Sequence, residues 1–149
     1  MDTGARLSEI LGLEVQDVDL QARSITMRPN GIRGLKTRGS HRTLPLSRRA
    51  AEVWQGKEDG DAIFPKYARP RGSDAASAMM MKRLRTVITD RKLTMHSLRH
   101  RMKDKLRNTG CPEAISMAIL GHGSNTVASN YGSGYALEVM REHMERVWT

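Results

Sequence analysis

The sequence predicts an α+β domain, mostly helical, with one small antiparallel sheet near the N-terminus. Two observations carry this. Beyond Ser47, apolar residues recur at the i, i+3, i+4 spacing of amphipathic helices. Before it, two β-prone runs, Ser24-Ile25-Thr26-Met27 and His41-Arg42-Thr43-Leu44-Pro45-Leu46, flank a polar, glycine-bearing turn region from Pro29 to Ser40. The 149 residues make one domain, 1–149, long enough to bury a core, with no repeats and no low-complexity tracts.

Taken in order, Leu7, Ile10 and Leu11 mark a short first helix with Gly12 near its end. Val15, Val18 and Leu20 lead into the strands. Ser47 is an N-cap for a helix through Ala50, Val53 and Trp54, stopped by Gly56. Ser73 caps a longer helix whose inner side carries Ala76, Met79, Met80, Leu84 and Val87. The helix after Thr94 buries Leu98, Met102 and Leu106. Pro112 opens another, with Ile115, Ala118 and Ile119 facing inward. Ser124 caps a short helix carrying Tyr131. The last helix, from Tyr135 to Val147, has Leu137, Met140, Met144 and Val147 on one face.

Charge points to a polyanionic partner. The net charge is +9, and the segment from Lys82 to Arg107 alone holds ten basic residues against Asp90 and Asp104. A solvated helix usually interleaves signs, so this imbalance reads as a phosphate-backbone surface, with Lys82, Arg83, Arg85, Arg101 and Lys103 its candidate contacts. Cys111 is the only cysteine, which excludes an intrachain disulfide and fits a reducing compartment. Its place before Pro112 suggests packing. No apolar run is long enough to span a membrane and no signal peptide is visible, so a cytoplasmic location is expected. With one cysteine and no carboxylate–histidine cluster, neither a metal nor a cofactor is expected.

The chemistry-bearing residues concentrate between His96 and Tyr131. His96-Ser97-Leu98-Arg99-His100 puts a histidine and an arginine three apart, on one face of a helix near its first turn, where free N–H groups also favour phosphate. Leu120-Gly121-His122 follows, and Tyr131 lies nine residues after His122. Arginine offers a planar fork for phosphate oxygens, histidine a donor near neutral pH, and tyrosine an oxygen nucleophile. Taken singly, each piece has a plainer reading: a surface His/Arg pair, a chance Gly-His corner, a half-buried tyrosine.

Two upstream pieces alter the reading. Thr3-Gly4-Ala5-Arg6-Leu7-Ser8-Glu9-Ile10-Leu11-Gly12-Leu13, followed by Asp17-Val18-Asp19, sets one arginine at a turn-to-helix junction. Lys36-Thr37-Arg38-Gly39-Ser40-His41-Arg42-Thr43-Leu44-Pro45-Leu46 sets a lysine in a hairpin turn. The five pieces in this order closely resemble the C-terminal catalytic domain of the tyrosine recombinase, or phage integrase, family, and the resemblance covers essentially the whole chain.

The resemblance implies a site-specific DNA recombinase that cuts and rejoins strands through a 3′-phosphotyrosyl intermediate, needing neither ATP nor metal. It casts Arg6 and Arg99 as clamps on the non-bridging oxygens of the scissile phosphate and His96 as an aid to phosphate binding and proton handling. His122 becomes a donor to a phosphate oxygen and Tyr131 the nucleophile. Lys36 is the implied proton donor to the leaving 5′-oxygen, which an ammonium can supply where a guanidinium rarely does. Arg33, Arg38 and Arg42 are the other cations of that hairpin, and a lysine touching DNA backbone is the alternative for Lys36. Glu9 and Asp17 resemble the family's structural acids. The implied partners are double-stranded DNA and further copies of the chain on it, through the C-terminal helix; the implied origin is bacterial, phage or mobile-element. The first helix starts within five residues of Met1, so the family's core-binding domain and first catalytic-domain helix are expected to be absent. A catalytically silent DNA-binding remnant and a DNA-relaxing enzyme like the type IB topoisomerases stay open as alternatives.

Overall fold

A computed structural model of the chain describes residues 2–34, 40–54, 62–122 and 134–149. Helix α1, Leu7–Leu11, is followed by a 3₁₀ turn at Val15–Asp17 and by strands β1, Val18–Asp19, β2, Ser24–Met27, and β3, Arg42–Pro45. Helices α2, Arg48–Glu52, α3, Gly72–Leu84, α4, Met95–Asn108, α5, Glu113–Leu120, and α6, Leu137–Trp148, complete the order. The three strands form an antiparallel sheet in the order β1-β2-β3, with Ile25 opposite both Val18 and Leu44. Ile25, Met27, Leu44 and Leu46 are fully or almost fully buried. They join Leu106, Ile119, Leu120 and Met144 in one core between the sheet and α4, α5 and α6.

Local signals explain three of the helix ends. The Ser47 hydroxyl accepts from the Ala50 N–H at 3.1 Å and so caps α2. Thr94 and Ser97 form a capping box at the start of α4, the Ser97 hydroxyl accepting the Thr94 N–H at 2.9 Å. Helix α5 ends in a Schellman motif: Gly121 N–H reaches Ala118 O at 3.1 Å and His122 N–H reaches Met117 O at 3.0 Å. Cys111 is buried, as its position suggested, and burial raises its thiol pKa.

Several elements differ from expectation. The helix after Ser47 ends at Glu52, leaving Val53 exposed, while Trp54 is buried in the following turn with its ring edge-on to Phe64. Leu20 is exposed. Ser73 does not cap α3: the cap is Arg71, in a left-handed conformation, and Gly72 N–H closes a turn onto Arg69 O at 2.9 Å. Met79 and Met80 on α3 and Val87 beyond it face outward, Val87 at 81% exposure. The buried residues of α3 are Gly72 and Ala76, and a Cβ at Gly72 would stand 1.9 Å from the Tyr67 carbonyl oxygen of the preceding turn. Leu98 and Ala118 are half-buried. Helix α6 starts at Leu137 rather than Tyr135, and Met140, Met144 and Val147 pack within the same chain, α6 lying against β3 and α4. The expected features at Gly56 and Lys36–Gly39, the short helix after Ser124 and the link at 132–133 lie outside the described residues.

Candidate active site

Arg6, itself in an extended conformation, stands at the N-cap of α1. Three residues on, the Glu9 carboxylate accepts from the Arg6 backbone N–H at 2.8 Å and from its guanidinium at 2.7 Å. The Arg6 guanidinium also donates to Ser40 Oγ at 3.2 Å and toward Gly121 O at 3.4 Å. One side chain thus meets its own helix, the end of the hairpin and the corner after α5.

Arg99 sits on the inner face of α4 and is 4% exposed. Its guanidinium donates to Gly4 O at 2.7 Å and to Leu120 O, joining the segment before α1 to the end of α5. Gly4 makes this approach possible. Its φ is +66°, and a Cβ there would stand 2.7 Å from Met102 Cγ and 2.8 Å from Leu120 Cδ2. Burial lowers the Arg99 pKa to about 10, and the neighbouring charge of Arg6 adds to the effect. It still carries its proton at pH 7, so the site holds a buried cation.

Arg6, His96 and Arg99 come together around one recess of about 180 Å³, completed by Ala5, Leu7, Ser77 and Met95. His96 is exposed in the first turn of α4, its ring edge-on to His100 with centroids 4.8 Å apart. His122 is half-buried at the Schellman corner. Both histidines have lowered pKa values. For His96 the causes are burial and then the charges of His100, Arg99 and Arg6. For His122 they are burial and then Arg99, Arg6, Lys103 and Arg42. That shared list ties His122 electrostatically to the two arginines.

Glu9 is the buried carboxylate of this cluster, 4% exposed. Burial pushes its pKa up, but hydrogen bonds and charge from Arg42, and then Arg6, outweigh that and lower it. As expected of a structural acid, it holds other groups in place. Asp17 does likewise, pairing with Arg28 and, at 3.7 Å, with Arg33. Arg33 is an internal brace: buried, it donates to Arg28 O and Glu9 O.

Arg42 is the residue that sequence reasoning passed over. It reads as one cation among several in a hairpin, yet its side chain is only 8% exposed. The available signal was strand alternation, which puts Arg42 on the same face of β3 as Leu44. Ser40, fully buried beside Arg6, gave no such signal.

The candidate backbone contacts divide. Lys82, Arg83 and Arg101 are exposed, and Lys103 is half-buried. Lys103 shares a stripe of α4 with His96 and Arg99, at i, i+3 and i+7, whereas Arg101 lies off that stripe. The Arg85 guanidinium is engaged with Asp90 O, Arg91 O and Leu93 O, so it organises the turn before α4. Lys36 and Tyr131 lie outside the described residues. Among the described residues, no helix is long and apolar enough to cross a membrane.

The corner itself gives a stability prediction. Gly121 has φ +63°, and a Cβ there would come within 2.5 Å of Arg42 Nη1. Gly121→Ala is expected to cost at least ~1 kcal/mol from the left-handed backbone alone. Displacing Arg42 adds to this. A chemical denaturation midpoint unchanged from wild type would contradict this reading of the corner.

Residues 1–136 match the model of the phage integrase family. The tyrosine recombinase XerD of Mycobacterium tuberculosis is 28% identical over 142 residues, covering 87% of this chain and 43% of that protein. The tyrosine recombinase XerC of Pelobacter propionicus is 23% identical over 137 residues, with 87% and 43% covered. The chain therefore spans less than half the length of these relatives. In fold it is similar to the Tn1549 transposon integrase in complex with transposon right-end DNA. The TM-score is 0.63 at 23% identity, over 99% of this chain and 56% of that one. The same integrase in complex with circular-intermediate DNA gives a TM-score of 0.60 at 23% identity, over 98% and 56%.

Proposed function

The chain belongs to the phage integrase family, and from that premise we propose that it carries the strand-cutting and strand-joining site of a site-specific DNA recombinase. The observation that carries this reading is the gathering of Arg6, His96 and Arg99 around one recess, with the His122 corner adjoining. Positive charge outweighs negative there. Glu9 is paired with Arg6 and Arg42, while Arg99 has no carboxylate within ion-pairing distance among the described residues. Two guanidinium groups fixed by carbonyl and carboxylate contacts suit a phosphodiester whose charge grows as it is attacked.

In this reading Arg6 and Arg99 hold the non-bridging oxygens, and His96 and His122 donate to or exchange protons with them. Tyr131 attacks phosphorus through its phenolic oxygen, its proton passing to an imidazole of the site or to water. A bond forms from that oxygen to the 3′-phosphate, the bond to the 5′-oxygen breaks, and Lys36 delivers the proton that oxygen needs. Attack by a 5′-hydroxyl on the phosphotyrosyl bond reverses the step and rejoins DNA. The 3′-phosphotyrosyl link conserves the phosphodiester, so no nucleotide is consumed.

A duplex selected for binding and nicked near the scissile phosphate tests this. The expected product is a protein–DNA adduct that survives denaturant; DNA binding without adduct would establish the silent-remnant reading instead.

The stripe of α4 that carries the site also continues onto DNA in this reading. Binding should weaken steeply with salt, each neutralised phosphate contributing about −0.9 to the logarithmic slope. Lys103→Gln is expected to reduce that slope by about 1, and Arg101→Gln to leave it unchanged. Equal effects from the two would contradict the division of the basic surface. Assembly of several copies on DNA is part of the proposal. Because the inner face of α6 is covered in cis, exchange of that helix would require α6 to leave β3 and α4.

A further inference from the structure

We propose that Arg42 is a positioning residue for strand cleavage, fixing the Gly121–His122 corner and the anchor of Arg6 in one frame. This inference rests on the recombinase reading above. The geometry is unusual for a strand arginine. Arg42 Nε donates to Ile119 O at 2.9 Å, across 77 residues of sequence. Nη1 donates to Ser40 O at 2.9 Å and to Glu9 Oε1 at 3.3 Å, and Nη2 donates to Glu9 Oε2 at 3.0 Å. The plane of the guanidinium meets Gly121 so closely that no side chain fits between.

Three segments therefore meet on this one fork. Glu9 is the carboxylate that orients Arg6. Ser40 ends the hairpin and itself accepts from Arg6. Ile119 and Gly121 bound the turn from which His122 projects. A lysine in place of Arg42 would retain the charge but lose the fork, since one ammonium cannot reproduce an Nε bond in one direction and a bidentate contact in another. The charge of Arg42 is also among those that depress the His122 pKa.

The test compares wild type with Arg42→Lys, Arg42→Gln and Arg28→Gln, all in the full chain. Arg28→Gln removes a comparable, partly exposed ion pair with Asp17 away from the recess and serves as the control. On nicked suicide DNA at saturation, both Arg42 variants should form adduct at least about tenfold more slowly than wild type. DNA affinity should stay within about threefold, and Arg28→Gln should keep the wild-type rate. On a duplex bearing a methylphosphonate at the scissile position, one non-bridging oxygen and its charge are gone. There the defect of Arg42→Gln should shrink, because a displaced clamp then has less charge to stabilise.

Wild-type rates in both Arg42 variants, or an equal defect on the two substrates, would overturn the inference. If wild type itself forms no adduct, the recombinase reading fails first, and a second readout still decides the role of Arg42. Imidazole resonances of the free chain should show His122 shifted, with its pKa raised, in Arg42→Gln. Unmoved His122 resonances would overturn the positioning role.

Discussion

Replacing Tyr131 by phenylalanine is expected to abolish covalent capture of DNA while leaving binding intact. The substitution removes one oxygen and keeps the ring, so neither the basic surface of α4 nor the arginine cluster changes. Without a phenolic oxygen no phosphotyrosyl bond can form, and the loss should be total within detection rather than graded. A gel-shift titration beside a denaturing adduct assay separates the two properties. Adduct formation by Tyr131→Phe at a rate within tenfold of wild type would assign the nucleophile elsewhere.

The arginine substitutions should have the next largest effects, and the structure indicates which are clean. Arg6 keeps about a quarter of its side chain exposed, and its partner Glu9 retains Arg42. Arg6→Ala should therefore leave the fold close to intact while cutting the cleavage rate by ~10² or more, the usual result of losing one charge-stabilising donor. Arg99→Ala is different. It strips Gly4 O and Leu120 O of their donor and empties a buried site, so activity and stability fall together. Arg99→Lys is the better probe. It keeps a cation but not the fork, and the expected loss is again ~10²-fold with a smaller change in melting temperature. Near-normal single-turnover cleavage by Arg6→Ala or Arg99→Lys would remove that residue from the clamp.

The fold class was legible because two periods change over at Ser47, and Ser47 does cap the helix it announces. The outer face of α3 was not legible. Met79, Met80 and Val87 follow a helical spacing, but spacing alone says nothing of what lies opposite. Here the buried positions of α3 are Gly72, against the Tyr67 backbone, and Ala76, and the large side chains turn outward. In the site, Arg6, His96 and Arg99 were legible as members of an ordered set of motifs that resembles the family's, and the fold gathers them around one recess. Strand alternation set Arg42 on the face of Leu44 but named none of its partners. Its importance comes from Ile119 and Glu9, far away in sequence and brought near only by packing of β3 against α5 and α1.

In the proposed reaction, Tyr131 becomes bonded to a DNA 3′-phosphate. Mass spectrometry of the adduct trapped on nicked suicide DNA tests it most directly. Digestion of protein and DNA should leave one modified peptide, spanning Tyr131, with a nucleoside 3′-phosphate on the phenolic oxygen. Linkage to any other side chain, or through a 5′-phosphate, would contradict the account.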